Sequence, residues 1–284
     1  MSRLFGFFGA KPVNISCVHK PEKGNKIDDQ KNYSFMEADG WGIGFFRNKS
    51  SFLYKKPLKR KNSKEFTTIS EIISSRVFIS HLRFSTIGEV KEANTQPFRW
   101  GNWLFAHSGT IHQFRKVKSR IIRKLPIAYK KQIQGNTDSE YCFYLYLSML
   151  RGEGGIKKGE SSLTASVEGL KNFGTVLTDI FEEAEVQKDP ELNLLISNGN
   201  YLLAARYGKP LYYFIQDNGG DSAELNFYFK ETNVQFNIIS SESSNKFIVI
   251  SSQMNNDIDI WREIPDKSVL SVDADLNIKV IPWI

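Results

Sequence analysis

The order of strand-like and helix-like segments constrains the fold of this chain more than any other feature. Short apolar segments typical of strands lie towards both ends, while the long helical patterns lie in the middle. Strands are predicted at residues 4–10, 39–46, 76–82, 103–106, 191–197, 201–207, 210–215, 225–229, 246–251, 268–272 and 276–282. This order predicts an α+β sandwich in which two antiparallel sheets face each other between helical layers.

The helical patterns are fewer and longer. Helices are predicted at residues 14–29, as a short helix followed by a surface loop, and at 63–75, 115–131, 141–150 and 163–185. The helix at 115–131 is expected to break at Pro126. With 284 residues and 40% hydrophobic content, the chain is expected to form one domain spanning residues 1–284.

Cysteine content and apolar runs narrow the class of protein. The chain has two cysteines, Cys17 and Cys142, which argues against a disulfide framework and suits the reducing cytoplasm. The apolar run at 4–10 is too short and glycine-interrupted for a signal peptide, and no run reaches the roughly 18 residues of a membrane span. No P-loop, dinucleotide fingerprint or Cys/His metal spacing occurs, so neither a cofactor nor a metal is expected.

The formal net charge of +7 is moderate and partly concentrated in two runs. Residues 55–64 contain six basic side chains, and residues 115–131 contain eight with no acid. A solvated protein face explains such runs, and nucleic-acid binding is the alternative. Because the runs lack a known nucleic-acid motif, we do not expect nucleic acid to be the partner.

The first residues carry a pattern with chemical meaning. Ser2 is a small hydroxyl residue after Met1, so removal of Met1 would leave a free α-amine and a nucleophilic side chain on one residue. An α-amine with a pKa of about 7.7 to 8.0 can act as a base near neutral pH. The start Met-Ser is also ordinary, and alone it indicates nothing.

Further segments combine glycine or charge with a predicted strand or helix end. Glycines alternate with large apolar residues at 39–46, which indicates either a bulged core strand or the close approach of a backbone or ligand. Arg83 follows a strand and could grip a carboxylate, although taken alone it fits a surface salt bridge better. Gly109 lies in a turn where its N–H could face an oxyanion. Thr137 or Asp138 could be a helix N-cap.

Five of these segments, in this order, resemble the class II glutamine amidotransferases, and more narrowly the small stand-alone branch related to γ-glutamyl hydrolases of ergothioneine and glutathione metabolism. The segments are residues 1–6, 39–44, 81–86, 107–109 and 137–140. The resemblance implies the αββα sandwich of N-terminal nucleophile hydrolases. It also implies attack of the second residue on the side-chain amide of glutamine or a γ-glutamyl compound, with no cofactor.

The resemblance implies a role for each matching residue. Ser2 would be the nucleophile, with its own amine as the base. Arg83 and Thr86 would hold the α-carboxylate of the substrate, and Asp138 would bind its α-ammonium. Gly109 would contribute to the oxyanion hole.

Two residues depart from the family pattern. The family nucleophile is cysteine, where this chain has Ser2, and the family oxyanion hole uses an asparagine amide at the position of Ser108. A serine hydroxyl is less acidic than a thiol, and losing one oxyanion donor typically costs about 2.7 to 4 kcal/mol. His81 and His107 are expected to be structural, because the amine already serves as the base.

Three explanations of Ser2 remain open: an engineered inactivating change, a natural enzyme that uses serine, and a pseudoenzyme that only binds γ-glutamyl ligands. The main expectation is an amidohydrolase, or an amidotransferase whose ammonia is accepted by a partner subunit, since no synthase domain is evident. The alternative is a non-catalytic binding module.

Overall fold

In a computed structural model of the chain, the described residues are 2–19, 38–57, 68–69, 71–152, 161–216, 224–229, 234–239, 246–254 and 260–283. Their strands form two antiparallel sheets. Sheet A consists of β1 (Arg3–His19), β2 (Gly40–Arg47), β3 (Ser50–Pro57), β4 (Ser74–Arg83), β9 (Tyr212–Gln216), β10 (Glu224–Phe229), β11 (Val234–Ile239), β12 (Phe247–Ser251) and β13 (Arg262–Glu263). Sheet B consists of β5 (Phe98–Trp100), β6 (Trp103–Thr110), β7 (Glu191–Ser197), β8 (Leu202–Tyr207), β14 (Ser268–Val272) and β15 (Ile278–Pro282).

The main helices lie between β6 and β7 in the sequence. They are α1 (Phe114–Lys124), α2 (Ile127–Lys130), α3 (Asp138–Gly152) and α4 (Leu163–Glu183), and a short 3-10 helix covers Glu92–Asn94. Residues 68, 69 and 71 are also helical. The long helices supply the apolar side chains that cover one face of sheet B.

Three apolar clusters define the layers. One cluster lies between the sheets, where Leu4 of β1 and Leu104 of β6 are both buried. A second joins sheet B to the helices, as in the stacked rings of Phe105 and Phe143 at 5.1 Å between centroids. The third covers the opposite face of sheet A and includes Phe7. The predicted α+β sandwich of facing antiparallel sheets is therefore confirmed.

The glycines of β2 allow sheet A to approach sheet B closely. A Cβ atom on Gly42 would lie 2.2 Å from the main-chain oxygen of Gln96, and one on Gly44 would lie 2.8 Å from a methyl group of Leu104. These separations exclude any side chain at either position without movement of the neighbour. The alternative of close approach is thus confirmed, and the approaching group at Gly42 is protein backbone.

The helix predicted to begin at residue 14 is wrong for residues 14–19. There β1 continues to its end, because residues 14–19 pair with β11 in antiparallel register from Asn14↔Ile239 to His19↔Val234. The remainder, 20–29, lies outside the described residues. Of the helix predicted at 63–75, residues 68, 69 and 71 are helical and β4 begins at Ser74. Residues 63–67 and 70 lie outside the described part.

The other strand and helix predictions agree with the structure within a few residues at each end, including the break at Pro126 and the β7–β8 hairpin. The single domain over residues 1–284 stays a prediction.

Candidate active site

Antiparallel pairing of β1 with β4 places Ser2 beside the end of β4. The register pairs Arg3 with Leu82, so the residue before β1 meets the residues that follow β4. The Phe84 N–H donates to Ser2 Oγ at 3.1 Å, and the Ser2 hydroxyl lies 3.4 Å from the Phe84 carbonyl oxygen. The Ser2 side chain is half-buried, and its hydroxyl is held at Phe84, the residue that follows Arg83.

Ser108 connects this end of sheet A to sheet B. It is buried near the end of β6, and its hydroxyl donates to the main-chain carbonyl of Ser2 at 2.8 Å. The hydroxyl is thus directed at the backbone of Ser2. A direct contact between Ser2 and Ser108 was not predicted from the sequence.

Gly109 follows Ser108 at a position that accepts only glycine. A Cβ atom there would lie 1.9 Å from the main-chain oxygen of Glu191 and 2.7 Å from His107 Nε2. The absence of a side chain lets β7 and the His107 ring approach the backbone of β6. Gly109 itself is half-buried at the same end of the sandwich as Ser2.

Arg83 is buried, so the surface salt bridge that the sequence favours for this residue taken alone is wrong. Its exposed fraction is 3%. The guanidinium donates to the main-chain oxygen of Glu89 at 3.0 Å and to those of Ile87 and Gly88 at 3.0 and 3.1 Å. The side chain turns back into its own loop, and those carbonyls occupy donors that a carboxylate ligand would use.

Two acids, Asp39 and Asp138, lie close enough to Arg83 to affect its pKa. Burial lowers the pKa of Arg83 from its ordinary value, while the charges of Asp39 and Asp138 raise it. Guanidinium groups remain protonated in proteins, so Arg83 is a cation. The site therefore places a cation and the Asp138 anion within electrostatic reach of each other.

Asp138 is buried at the start of α3, with an exposed fraction of 4%. Its Oδ2 accepts from the Ile111 N–H at 2.9 Å, and its Oδ1 accepts from the Ser139 N–H at 2.8 Å. The capping contact belongs to Thr137, whose Oγ1 accepts from the Glu140 N–H at 3.4 Å. Asp138 is thereby turned towards the end of β6.

Thr86 lies in the loop after β4 and is exposed. It is three residues from Arg83, on the segment whose carbonyls receive the guanidinium. The structure thus brings Ser2, Arg83, Ser108, Gly109 and Asp138 to one end of the sandwich, and Thr86 lies at its solvent edge.

The two histidines predicted to be structural are buried. Burial, together with the neighbouring charges of His107 and Arg83, lowers the pKa of His81 to about 3. His81 is therefore neutral at neutral pH and too weak a base to serve there. Neither of its ring nitrogens has a hydrogen-bond partner among the described residues. His107 lies between Ser139 Oγ, 2.9 Å from its Nδ1, and the Glu191 carbonyl, 3.0 Å from its Nε2.

Sequence reasoning missed the residues that hold the surrounding loops. Asp39 receives the Ser85 N–H at 2.6 Å through Oδ2 and donates its own N–H to the Arg83 carbonyl at 2.7 Å. The Asn94 side-chain oxygen accepts from the backbone N–H of Asn136 at 2.9 Å, and its amide nitrogen donates to the side-chain oxygen of Asn136 at 2.7 Å. The available signals were the aspartate at the start of the glycine-rich segment 39–46 and the asparagine at position 94.

Glu140 reinforces the same loops. Its carboxylate accepts from the N–H groups of Gln134 and Gly135 at 2.9 and 2.7 Å. Burial raises the pKa of Glu140, while these hydrogen bonds and the charges of Lys55 and Lys91 lower it. The loop before α3 is consequently fixed to the first turn of that helix.

In the described ranges, no group of three or more His, Cys, Asp or Glu side chains could hold a metal ion. Across the same ranges, no helix is both long and apolar enough to cross a bilayer.

The chain is similar in sequence to a probable glutamine amidotransferase and to a γ-glutamyl hydrolase. A probable glutamine amidotransferase of Saccharomyces cerevisiae is 26% identical over 227 residues, which cover 73% of this chain and 64% of the yeast protein. A γ-glutamyl-hercynylcysteine sulfoxide hydrolase of Mycobacterium tuberculosis is 24% identical over 216 residues, covering 74% of this chain and 78% of that protein. The matched region thus spans less than two thirds of the yeast relative.

Solved structures share the fold. A predicted glutamine amidotransferase from Pseudomonas aeruginosa superposes with a TM-score of 0.64 at 20% identity, covering 98% of this chain and 99% of that one. Glutamine phosphoribosylpyrophosphate amidotransferase from Bacillus subtilis gives a TM-score of 0.55 at 16% identity, covering 99% of this chain and 49% of that one. The αββα fold of the N-terminal nucleophile hydrolases is thereby confirmed.

The family model of class II glutamine amidotransferases matches residues 1–278. Together with the two facing antiparallel sheets, this match over nearly the whole chain shows that the protein belongs to the class II glutamine amidotransferase family.

Proposed function

We propose that the protein cleaves the side-chain amide of glutamine or of a γ-glutamyl compound, using Ser2 as an N-terminal nucleophile after removal of Met1. The observation that carries this proposal is the convergence of the Ser2 hydroxyl, the Arg83 cation and the Asp138 anion at one end of the sandwich. A free amino-acid end carries one negative and one positive charge, which such a pair would read.

The reaction would proceed in two steps. The α-amine of Ser2 takes the hydroxyl proton while Oγ attacks the amide carbon, and the tetrahedral intermediate expels ammonia or an amine that receives this proton. Water then hydrolyses the Ser2 ester, or an acceptor takes the γ-glutamyl group. Released ammonia would pass to a partner subunit if the protein serves as an amidotransferase.

Ligand binding would require Arg83 to exchange partners. Its guanidinium now donates to the carbonyls of residues 87–89, and a substrate α-carboxylate would replace them in a charge-assisted pair. Thr86, on the same segment, would add its hydroxyl to that carboxylate. Asp138 would receive the α-ammonium.

The oxyanion would have fewer donors than in relatives with asparagine. Gly109 N–H is the donor that we assign, whereas the Ser108 hydroxyl donates to the Ser2 carbonyl. Removing one oxyanion donor typically costs about 2.7 to 4 kcal/mol, a factor of about 10² to 10³ in kcat. We therefore expect binding to survive better than turnover.

A binding module without catalysis is the second candidate, and the Ser108–Ser2 contact favours it because that contact draws a donor away from the oxyanion. In either case the two-cysteine composition supports a cytoplasmic location.

The test begins with the intact mass of protein made in its own host, which should show Met1 removed and Ser2 unmodified. Ammonia and glutamate release are then measured with glutamine and a panel of γ-glutamyl amides. Slow release that Ser2→Ala abolishes supports catalysis by serine. Retained Met1 or acetylated Ser2 excludes the amine as the base, and binding without release in every variant supports the binding module.

A further inference from the structure

The buried hydrogen bonds behind Asp138 form a continuous chain from β7 to α3. The Glu191 carbonyl oxygen lies 3.0 Å from His107 Nε2, and His107 Nδ1 lies 2.9 Å from Ser139 Oγ. Ser139 Oγ is 3.3 Å from Asp138 Oδ1. His107, Ser139 and Asp138 have exposed fractions of 1%, 6% and 4%, so water does not compete for these contacts.

We propose that His107 and Ser139 are positioning residues for the Asp138 carboxylate, which they orient towards the α-ammonium group of the ligand. This inference rests on the ammonium-binding role proposed for Asp138 above. Neither His107 nor Ser139 would touch the ligand, and both would act through Asp138.

The proton positions follow from the partners. A carbonyl oxygen only accepts, so His107 Nε2 must carry a proton to bond with Glu191. In the tautomer that carries its proton on Nε2, Nδ1 is an acceptor for the Ser139 hydroxyl. Of the two acceptors near the Ser139 hydroxyl, His107 Nδ1 at 2.9 Å is closer than Asp138 Oδ1 at 3.3 Å, so the shorter contact favours donation of the single proton to His107.

The carboxylate consequently keeps acceptor capacity. Two backbone donors, Ile111 N–H and Ser139 N–H, each bond one oxygen of Asp138. A carboxylate has about four acceptor sites, so about two stay available for a cationic donor. If the Ser139 hydroxyl turned to Asp138, it would take one of these sites and compete with an ammonium group.

The same residues also fix the distance between β6 and α3. Asp138 bonds Ile111 at the end of β6, and Ser139 bonds His107 on the same strand, so the helix start is tied twice. His107 is itself held by Gln96, whose side chain accepts from its N–H at 2.7 Å and donates to its carbonyl at 3.0 Å. Gly109 leaves the space in which the His107 ring reaches Glu191.

The inference is tested by comparing two ligands that differ in one group. Glutamine carries the α-ammonium, whereas 4-carbamoylbutanoate has the same carboxylate and amide without it. Calorimetry with the full chain would measure the affinity of both ligands for Ser139→Ala, His107→Phe, Asp138→Asn and the conservative variant Ser139→Thr.

We expect Ser139→Ala and His107→Phe each to weaken glutamine about tenfold, because each breaks the Ser139–His107 bond that ties the start of α3 to β6 and so loosens the position of Asp138. The affinity of these variants for 4-carbamoylbutanoate should change less than twofold. Ser139→Thr, which keeps the hydroxyl, should bind glutamine as tightly as the unchanged chain does. A general loss of structure would instead weaken both ligands alike, and that result would overturn the positioning role.

Asp138→Asn separates this inference from the proposed function. If Asp138→Asn weakens glutamine selectively while Ser139→Ala and His107→Phe do not, the positioning role is overturned and the ammonium-binding role of Asp138 stands. If Asp138→Asn also leaves glutamine affinity unchanged, both fail together. Should His107→Phe not fold, Ser139→Ala removes a single oxygen atom and decides the question alone.

Discussion

Changing the two serines at the site to the residues of the family pattern should raise turnover in a coupled manner. Ser2→Cys replaces a hydroxyl by a thiol, which ionises near pH 8.5 and is the better nucleophile. Ser108→Asn removes the 2.8 Å hydrogen bond to the Ser2 carbonyl and supplies an amide that can reach further than a hydroxyl.

Ser108→Asn changes two separate quantities, the stability of the fold and the energy of the transition state. The lost hydrogen bond stabilises the fold by about 0.5 to 1.5 kcal/mol, and an additional oxyanion donor is worth about 2.7 to 4 kcal/mol in the transition state. The first energy concerns folding and the second concerns the barrier, so kcat should rise by about 10² or more in the Ser2→Cys background. The change in stability should be within about 1.5 kcal/mol.

The assay measures ammonia and glutamate release by four proteins: the unchanged chain, each single variant and the double variant. Because both residues act on the same tetrahedral intermediate, we expect the double variant to differ from the product of the single effects. Ser2→Ala, alone and combined with Ser108→Asn, is the control for contaminating amidases. A double variant that binds glutamine yet releases nothing from a broad panel of γ-glutamyl amides would refute the catalytic interpretation.

Three further results are expected. Arg83→Ala and Asp138→Asn should each weaken glutamine at least tenfold in calorimetry, since each leaves a charged ligand end unpaired; unchanged affinity in both would mean that the ligand binds elsewhere. His81 has a folded-state pKa of about 3, below its usual 6.5, so the unfolded chain binds more protons between these values. The free energy of unfolding should therefore fall by about 1.4 kcal/mol per pH unit from His81 alone as the pH drops through that window. When urea titrations are repeated at several pH values, the free energy of unfolding of His81→Phe should depend less on pH by this amount. Gly42→Ala should destabilise by about 1 to 3 kcal/mol, because its Cβ would lie 2.2 Å from the Gln96 carbonyl. Gly101→Asn should cost less, because the space around Gly101 is open and asparagine tolerates its positive φ better than other side chains do.

Local patterns predicted eleven of the strands in the described residues, including β7 and β8, which pair with each other as sequence neighbours. They missed β3, β5, β11 and β13. The extension of β1 could not be predicted in this way. Its partner β11 lies more than 200 residues away, and the polar residues Asn14 and Ser16 alternate with apolar ones in a segment that leads into a polar run. A strand whose partner is so distant carries little signal of its own.

The site shows the same division. The family resemblance implied roles for Ser2, Arg83 and Asp138, but the partners of these residues depend on tertiary contacts. Nothing near Arg83 in the sequence indicates that its guanidinium binds the carbonyls of residues 87–89. The His107–Ser139 contact likewise joins a strand to a helix 32 residues further along the chain.

The contact between Ser2 and Ser108 bears on how the two departures from the family pattern arose. An engineered change of the nucleophile would explain Ser2 and leave Ser108 without a reason. In the structure the two residues touch, since the Ser108 hydroxyl donates to the Ser2 carbonyl. An asparagine at position 108 would direct its longer amide past that carbonyl towards the substrate, whereas serine is short enough to hold the first residues of β1 in place. If the proposed roles hold, both departures act at the same place, exchanging an oxyanion donor for a fixed position of Ser2. This supports natural divergence of a pair of residues, and it explains why we expect their reversal to be non-additive.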